Sequence, residues 1–147
     1  MEGYFRMPER TAEVLPGDGY LRTGDLGSMD AAGHIAIRGR SREVIIRGGE
    51  NIYPAEVEAA LGEHPEVAAC AVVGVADPSW GELVGASVVT RGNRVDPAEL
   101  ESFLAGRIAH FKIPRVWRFT DALPMTASGK IRRTEVKEEM KKEGMNG

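Results

Sequence analysis

The stretch Gly39-Arg40-Ser41-Arg42-Glu43-Val44-Ile45-Ile46-Arg47-Gly48-Gly49-Glu50-Asn51-Ile52-Tyr53-Pro54-Ala55-Glu56-Val57-Glu58 carries a strand, a glycine turn and a helix start in immediate succession. Val44-Ile45-Ile46 is a short apolar run that reads as a buried strand, and Gly48-Gly49 ends it. Pro54 suits the first position of a helix, where its missing N–H costs nothing. Val57, Ala60 and Leu61 recur on one face, so the spacing predicts a helix to about Leu61, with Gly62 as its stop.

The same mixture continues outward. Val67 to Val75 reads as a buried strand and Leu83 to Thr90 as its hairpin partner, with a turn at Arg91-Gly92-Asn93-Arg94 after them. Asp96-Pro97-Ala98-Glu99 reads as N-cap, proline at the first helical position, and a reciprocal glutamate. Leu100, Phe103, Leu104 and Ile108 make that segment's apolar face, and Pro114 stops it. Val116 to Phe119 is a further strand, and Thr134 is the expected cap of a terminal helix through Met140. Upstream, Leu21 to Met29 and His34 to Ile37 flank Asp30-Ala31-Ala32-Gly33 as a β-hairpin, within about residues 20–38. Residues 1–19 show no sustained period and read as mostly irregular chain, expected to be mobile or borrowed into a crystal or dimer contact. The fold class is α+β: a small mixed sheet flanked by helices and preceded by a β-hairpin. A core over residues 43–140 is expected to bury Leu61, Cys70, Val72, Val88, Leu104 and Val116.

Composition sets bounds on function. The chain has 147 residues and a formal net charge of −3. No apolar run approaches the ~20 residues that span a bilayer, and Met1-Glu2-Gly3 is not a secretory start. The single cysteine, Cys70, sits in an apolar run and reads as a buried thiol, which excludes a disulfide within the chain. A cytoplasmic location fits. His34, His64 and His110 lack metal-ligand spacing, so no metal site is expected. From Arg107 onward there are ten Lys/Arg and five Asp/Glu, against nine and seventeen before it. That basic end reads either as a solvated face or as a weakly positive surface for a phosphorylated ligand. Nucleic acid is not an expected partner, because the net charge is negative and no aromatic stacking motif occurs.

Two further segments carry chemistry. In Pro124-Met125-Thr126-Ala127-Ser128-Gly129-Lys130, proline stiffens the entry, glycine frees the bend, and Lys130 is delivered as a point charge. Taken alone, the segment fits a solvated lysine in a turn as well as a cation set against phosphate or carboxylate. In Tyr20-Leu21-Arg22-Thr23-Gly24-Asp25-Leu26-Gly27, Asp25 alone reads as a turn aspartate capping local backbone. Arg40, taken alone, reads as a surface guanidinium paired with Glu43.

In order and spacing, these three segments resemble the C-terminal end of the adenylate-forming superfamily, which includes acyl-CoA synthetases, peptide-synthetase adenylation domains and firefly luciferase. The resemblance runs from Gly3-Tyr4 to the terminal helix. It implies a two-step reaction. A carboxylate attacks the α-phosphate of ATP, giving an acyl-adenylate and pyrophosphate; a thiol, usually that of CoA, then attacks the acyl carbonyl and releases AMP. Lys130 matches the lysine that stabilises charge in the first step. Asp25 matches the aspartate that accepts hydrogen bonds from the ribose hydroxyls, and Arg40 an arginine that contacts the nucleotide. Arg42 matches the hinge between a large and a small domain, where the family usually has Asp or Lys. Gly48, Gly49, Glu50 and Asn51 match the loop lining the pantetheine tunnel. Gly-Gly-Glu-Asn-Ile-Tyr-Pro and His110-Phe111-Lys112-Ile113-Pro114 look like fatty-acyl and related acyl-CoA synthetases; peptide-synthetase domains more often carry Arg-Ile-Glu in place of the former.

The resemblance also assigns parts. Residues 1–41 are expected to be the tail of a large N-terminal domain and 42–147 the C-terminal domain. The family's Ser/Thr/Gly-rich phosphate loop and acyl pocket are not in the sequence, so the chain alone is expected to be inactive. Its expected partners are its own N-terminal domain, ATP and AMP, CoA and a carboxylic acid, with a fatty acid as the first choice. Mg2+ is expected in the full-length enzyme, without ligands from this chain. An adenylation domain serving a carrier protein, an aryl-CoA ligase, and a free-standing nucleotide-binding module are the alternatives. The Gly129-Lys130 loop also looks like the site where acyl-CoA synthetases are inactivated by lysine acetylation.

Overall fold

The computed structural model describes residues 1–92 and 95–144. The chain divides after Arg42 into Met1–Arg42 and Glu43–Gly147. In the first unit, Pro8 starts a seven-residue helix, α1 (Pro8–Val14). This corrects the expectation of irregular chain over residues 1–19. The helix buries none of its residues, so it leaves no apolar period to read; the side chain of Thr11 ties it down instead, accepting from Tyr4 N at 2.9 Å and donating to Met7 O at 2.8 Å. β1 (Asp25–Met29) and β2 (Ile35–Arg40) form the expected antiparallel hairpin, with a register shift between Leu26 and Gly27. Asp30 closes its turn, its carboxylate accepting from Ala32 N and His34 N at 2.9 Å each.

The second unit is built on a five-stranded mixed sheet. β3 (Ile45–Arg47) and β4 (Glu50–Ile52) pair antiparallel. α2 (Pro54–Gly62) follows and buries Pro54, Val57, Ala60 and Leu61. β5 (Val67–Asp77) and β6 (Gly81–Thr90) form a long antiparallel hairpin. Arg47 pairs with Gly81 to join β3 to β6. After α3 (Pro97–Leu104), β7 (Val116–Phe119) lies parallel to β6, from Gly85↔Val116 to Val88↔Phe119. α4 (Arg133–Gly144) ends the described chain.

Strand alternation divides the core between the two faces. Val72 of β5 joins Val57, Leu61, Leu100 and Leu104 in one cluster. Its neighbours Ala71 and Val73 point the other way and pack with Val136 and Met140 of α4. β5 is thus covered by helices on both sides, which explains its near-continuous apolar run.

Several boundaries differ from those expected. Glu50-Asn51 belongs to β4 rather than to an open loop, giving a second tight hairpin. Gly62 is the last residue of α2 and Glu63 takes the cap in ordinary right-handed geometry. α3 stops at Leu104, whose carbonyl accepts from both Arg107 N and Ile108 N, so Ile108 lies beyond the helix while still packing on the core. A short 3₁₀ turn at His110–Lys112 follows. Asp96 caps α3 through Ala98 N at 2.8 Å, whereas Glu99 lies 3.6 Å from the Nε2 of buried His64. Thr134 is inside α4, and Arg132 supplies the carbonyl that accepts from Glu135 N and Val136 N. Leu61, Val72, Val88 and Leu104 are buried as expected; Cys70 and Val116 are only partly so, packed against the first and second cluster respectively. Burial pushes the Cys70 thiol up to about 12, leaving it protonated and unreactive. Asn93 and Arg94 of the expected turn lie outside the described residues. No helix among the described residues is long and apolar enough to cross a membrane.

Candidate functional site

Lys130 stands at the end of a small hairpin whose stem is closed by Arg132 N donating to Pro124 O at 2.8 Å and by a bridge between Met125 and Ile131. Inside it, Thr126 N donates to Lys130 O at 2.7 Å and Gly129 N to Thr126 O at 2.9 Å. The Thr126 hydroxyl accepts from Lys130 N at 3.0 Å and lies 2.9 Å from the Ser128 hydroxyl. Gly129 has φ +78, which the turn requires. The backbone at Lys130 is therefore tied at both N–H and C=O, while its side chain is exposed. No ion pair or hydrogen bond holds its ammonium among the described residues. Thr126 and Ser128, to which the sequence alone gives no role, are the side chains that order this loop.

The Gly48-Gly49 turn is the second feature. Arg47 and Glu50 close a two-residue hairpin, and the glycines have φ +57 and +90. Both central residues of such a turn need positive φ, which glycine adopts without steric cost. The two glycines differ in their surroundings. A Cβ on Gly48 would stand 2.8 Å from Trp80 Cε3, whereas one on Gly49 would meet nothing within 4 Å. Gly48 N also donates to Trp80 O at 2.8 Å. Glu50 and Asn51 are exposed beside this turn.

Trp80 was not singled out by sequence. It is 52% exposed, and the Arg47 guanidinium lies 5.2 Å from its ring centroid. A lone tryptophan in the turn Asp77-Pro78-Ser79-Trp80-Gly81 is the signal that marks it. Arg47 also donates to Phe111 O at 2.7 Å, and its Nε is buried without a partner among the described residues. Lys112 pairs with Glu56 at 2.6 Å. The His110–Pro114 motif is thereby brought against the glycine turn, a juxtaposition that sequence order alone does not show.

In the first unit, Asp25 and Arg40 are register partners across the hairpin, and Arg40 Nε lies 2.7 Å from Asp25 Oδ1. Arg40 therefore pairs with Asp25 and not with Glu43, which faces Arg133. Thr23 supports the pair from the backbone side, its hydroxyl accepting from Asp25 N at 3.1 Å. Arg42 is exposed in a 3₁₀ turn, Ser41–Glu43, and is the last residue of this unit. The described residues contain no group of three or more His, Cys, Asp or Glu that could hold a metal ion.

A helix-flanked mixed sheet, an ordered Gly-Lys loop and a Gly-Gly hairpin define a recognisable class. Residues 56–130 match the AMP-binding enzyme C-terminal domain, and the chain belongs to that family. It is 50% identical over 138 residues to a feruloyl-CoA synthase of an Amycolatopsis species, covering 93% of this chain and 28% of that protein. It is 45% identical over 141 residues to the mitochondrial medium-chain acyl-CoA ligase ACSF2 of Rattus norvegicus, covering 95% of this chain and 23% of that protein. Among solved structures it is similar to the o-succinylbenzoate CoA synthetase of Bacillus subtilis in complex with its acyl-adenylate intermediate. There the TM-score is 0.87 at 39% identity, over 93% of this chain and 28% of that one. The chain thus spans about a quarter of the length of these relatives.

Proposed function

We propose that this chain is the C-terminal part of an acid–thiol ligase that makes acyl-CoA from a carboxylic acid, ATP and CoA by way of an acyl-adenylate. The observation that carries the reading is the Lys130 loop: its backbone is fixed by Thr126 while its ammonium stands free in solvent. Adenylation spreads negative charge over phosphoryl oxygens as the carboxylate attacks and pyrophosphate leaves. A cation held in place before the reaction stabilises that charge without reorganising. The family match and the CoA ligases among the relatives support the same chemistry.

The other residues take roles that their geometry allows. Asp25 keeps a second carboxylate oxygen beyond the one facing Arg40, and a carboxylate is the group that accepts from a vicinal diol, as in ribose. Arg40 orients it and offers charge to the nucleotide. Arg42 is the hinge, and residues 1–41 are the tail of the larger domain. Gly48 and Gly49 leave a side-chain-free edge for the pantetheine arm, with Glu50 and Asn51 beside it. Trp80 and Arg47 add an aromatic face and a guanidinium next to that edge. Mg2+ would accompany ATP on residues outside this chain. The acid is a fatty acid in this proposal and the location cytoplasmic. The residues that choose the acid lie outside the chain, which is therefore inactive alone.

The test uses the full-length enzyme. Lys130→Ala is expected to lower acid-dependent pyrophosphate exchange by roughly a hundredfold, the usual cost of losing one such contact, about 3 kcal/mol. Thioester formation should follow with CoA as acceptor. Transfer to a carrier protein and not to CoA would move the protein to the carrier-protein class, and unchanged exchange in Lys130→Ala would remove the catalytic role of the lysine.

A further inference from the structure

Arg133, the first residue of α4, lies three positions beyond Lys130 and gathers three partner residues from distant parts of the chain. Its Nη1 and Nη2 donate to the two carboxylate oxygens of Glu58 on α2, the Nη2–Oε2 contact at 2.9 Å. Nη1 also donates to Val72 O on β5 at 3.0 Å. Glu58 Oε1 in turn accepts from Val72 N at 2.7 Å. Nε lies 3.2 Å from Glu43 Oε2. The cluster is largely withdrawn from water, with side chains 26% exposed at Arg133, 18% at Glu58 and 31% at Glu43. The hydrogen bonds that the guanidinium donates to Glu58 hold it further toward its charged form.

An ion pair in such a place is weak evidence for stability, since apolar residues of similar size would pack as well. α4 already has apolar anchors in Val136 and Met140. What arginine adds is direction: a rigid planar fork whose donors reach several acceptors at fixed angles. Those acceptors lie on α2, β5 and Glu43, the first residue of the second unit. The element being fixed is the root of the lysine loop, because Arg132 closes the stem on Pro124 and Ile131 bridges Met125.

We infer that Arg133 is a positioning residue for Lys130, its guanidinium locking the root of the lysine loop to α2, β5 and the residue that follows Arg42. The inference rests on the catalytic role proposed for Lys130. A movement at the Arg42–Glu43 junction would then carry the lysine loop as part of one body. The ion pair is what keeps Lys130 in register while that happens.

The decisive variant is Arg133→Lys, which keeps the charge and loses the fork. In the 147-residue chain, amide exchange at Thr126 and Arg132 is expected to accelerate about tenfold while Val88 in β6 stays protected. In the full-length enzyme, kcat for adenylation should fall about tenfold with KM for ATP unchanged, because the reacting geometry loosens and binding does not. Thioester formation from supplied acyl-adenylate should be unaffected, and Glu43→Gln should give the same pattern more weakly. Unchanged exchange at Thr126, or equal losses in the two half-reactions, would overturn the inference and leave an ordinary structural ion pair. Lys130→Ala in the same enzyme separates this from its parent reading. If adenylation survives that change, the role of Lys130 falls, and the exchange measurement still decides whether Arg133 orders the loop.

Discussion

The hairpin that ends at Lys130 and the hairpin that turns at Gly48-Gly49 use one device, a short antiparallel turn with glycine at positive φ, and present opposite things to solvent. The first is ordered by side-chain hydroxyls and displays a long cationic side chain. The second is ordered by backbone pairing and by Trp80, and at Gly49 displays no side chain at all. A loop that must deliver charge needs partners close to the charged residue. A turn that must let a chain pass needs room, and its supports are placed behind it. In the proposed function the two hairpins serve different half-reactions, and substitutions in either one can break that division.

The largest effect is expected from removing the charge while keeping the length of the side chain. Acetyl-Lys130, placed homogeneously in the full-length enzyme, should lose adenylation by roughly a hundredfold, as Lys130→Ala does, with the fold intact by circular dichroism. Deacetylation should restore the rate. Next comes Gly48→Ala, which forces a side chain into left-handed backbone and against Trp80. It should cost about 2 kcal/mol in urea unfolding of the 147-residue chain and shift the indole emission. Gly49→Asn should behave differently, because asparagine tolerates positive φ and the site has open space. Stability should hold, while the thioester step slows about tenfold, or about 1.4 kcal/mol of barrier. The smallest effect is Thr126→Val, which removes the acceptor for Lys130 N; it should weaken the loop by about 1 kcal/mol and slow adenylation about fivefold.

The two hairpins also differ in how far the sequence exposes them. Gly129-Lys130 is visible because proline, glycine and lysine each have a local meaning. Gly48-Gly49 is visible as a turn, yet the strand after it is not, because Glu50-Asn51-Ile52 offers one apolar residue and no alternation. The long strands are legible from their apolar runs bounded by turn residues, and the apolar faces of α2 and α3 from helical periodicity. Helix ends are less so: α3 stops where Leu104 O takes two later amides, and no residue type announces that. Contacts made across the chain are the least legible. Arg133 meets Glu58 at a separation of 75 residues, and Trp80 reaches Gly48 only because β3 pairs with β6 through Arg47 and Gly81. Both pairings depend on the finished sheet, which a local reading of charge and turn residues does not contain.

One measurement tests the central claim most directly. In the full-length enzyme, the rate of acyl-adenylate formation and the rate of thioester formation from supplied acyl-adenylate are measured separately for Lys130→Ala and for Gly49→Asn. A crossed result is expected: Lys130→Ala loses the first rate by roughly a hundredfold and keeps the second, and Gly49→Asn keeps the first and loses about tenfold of the second. Parallel losses, with each variant slowing both steps by the same factor, would contradict the division of labour between the two hairpins.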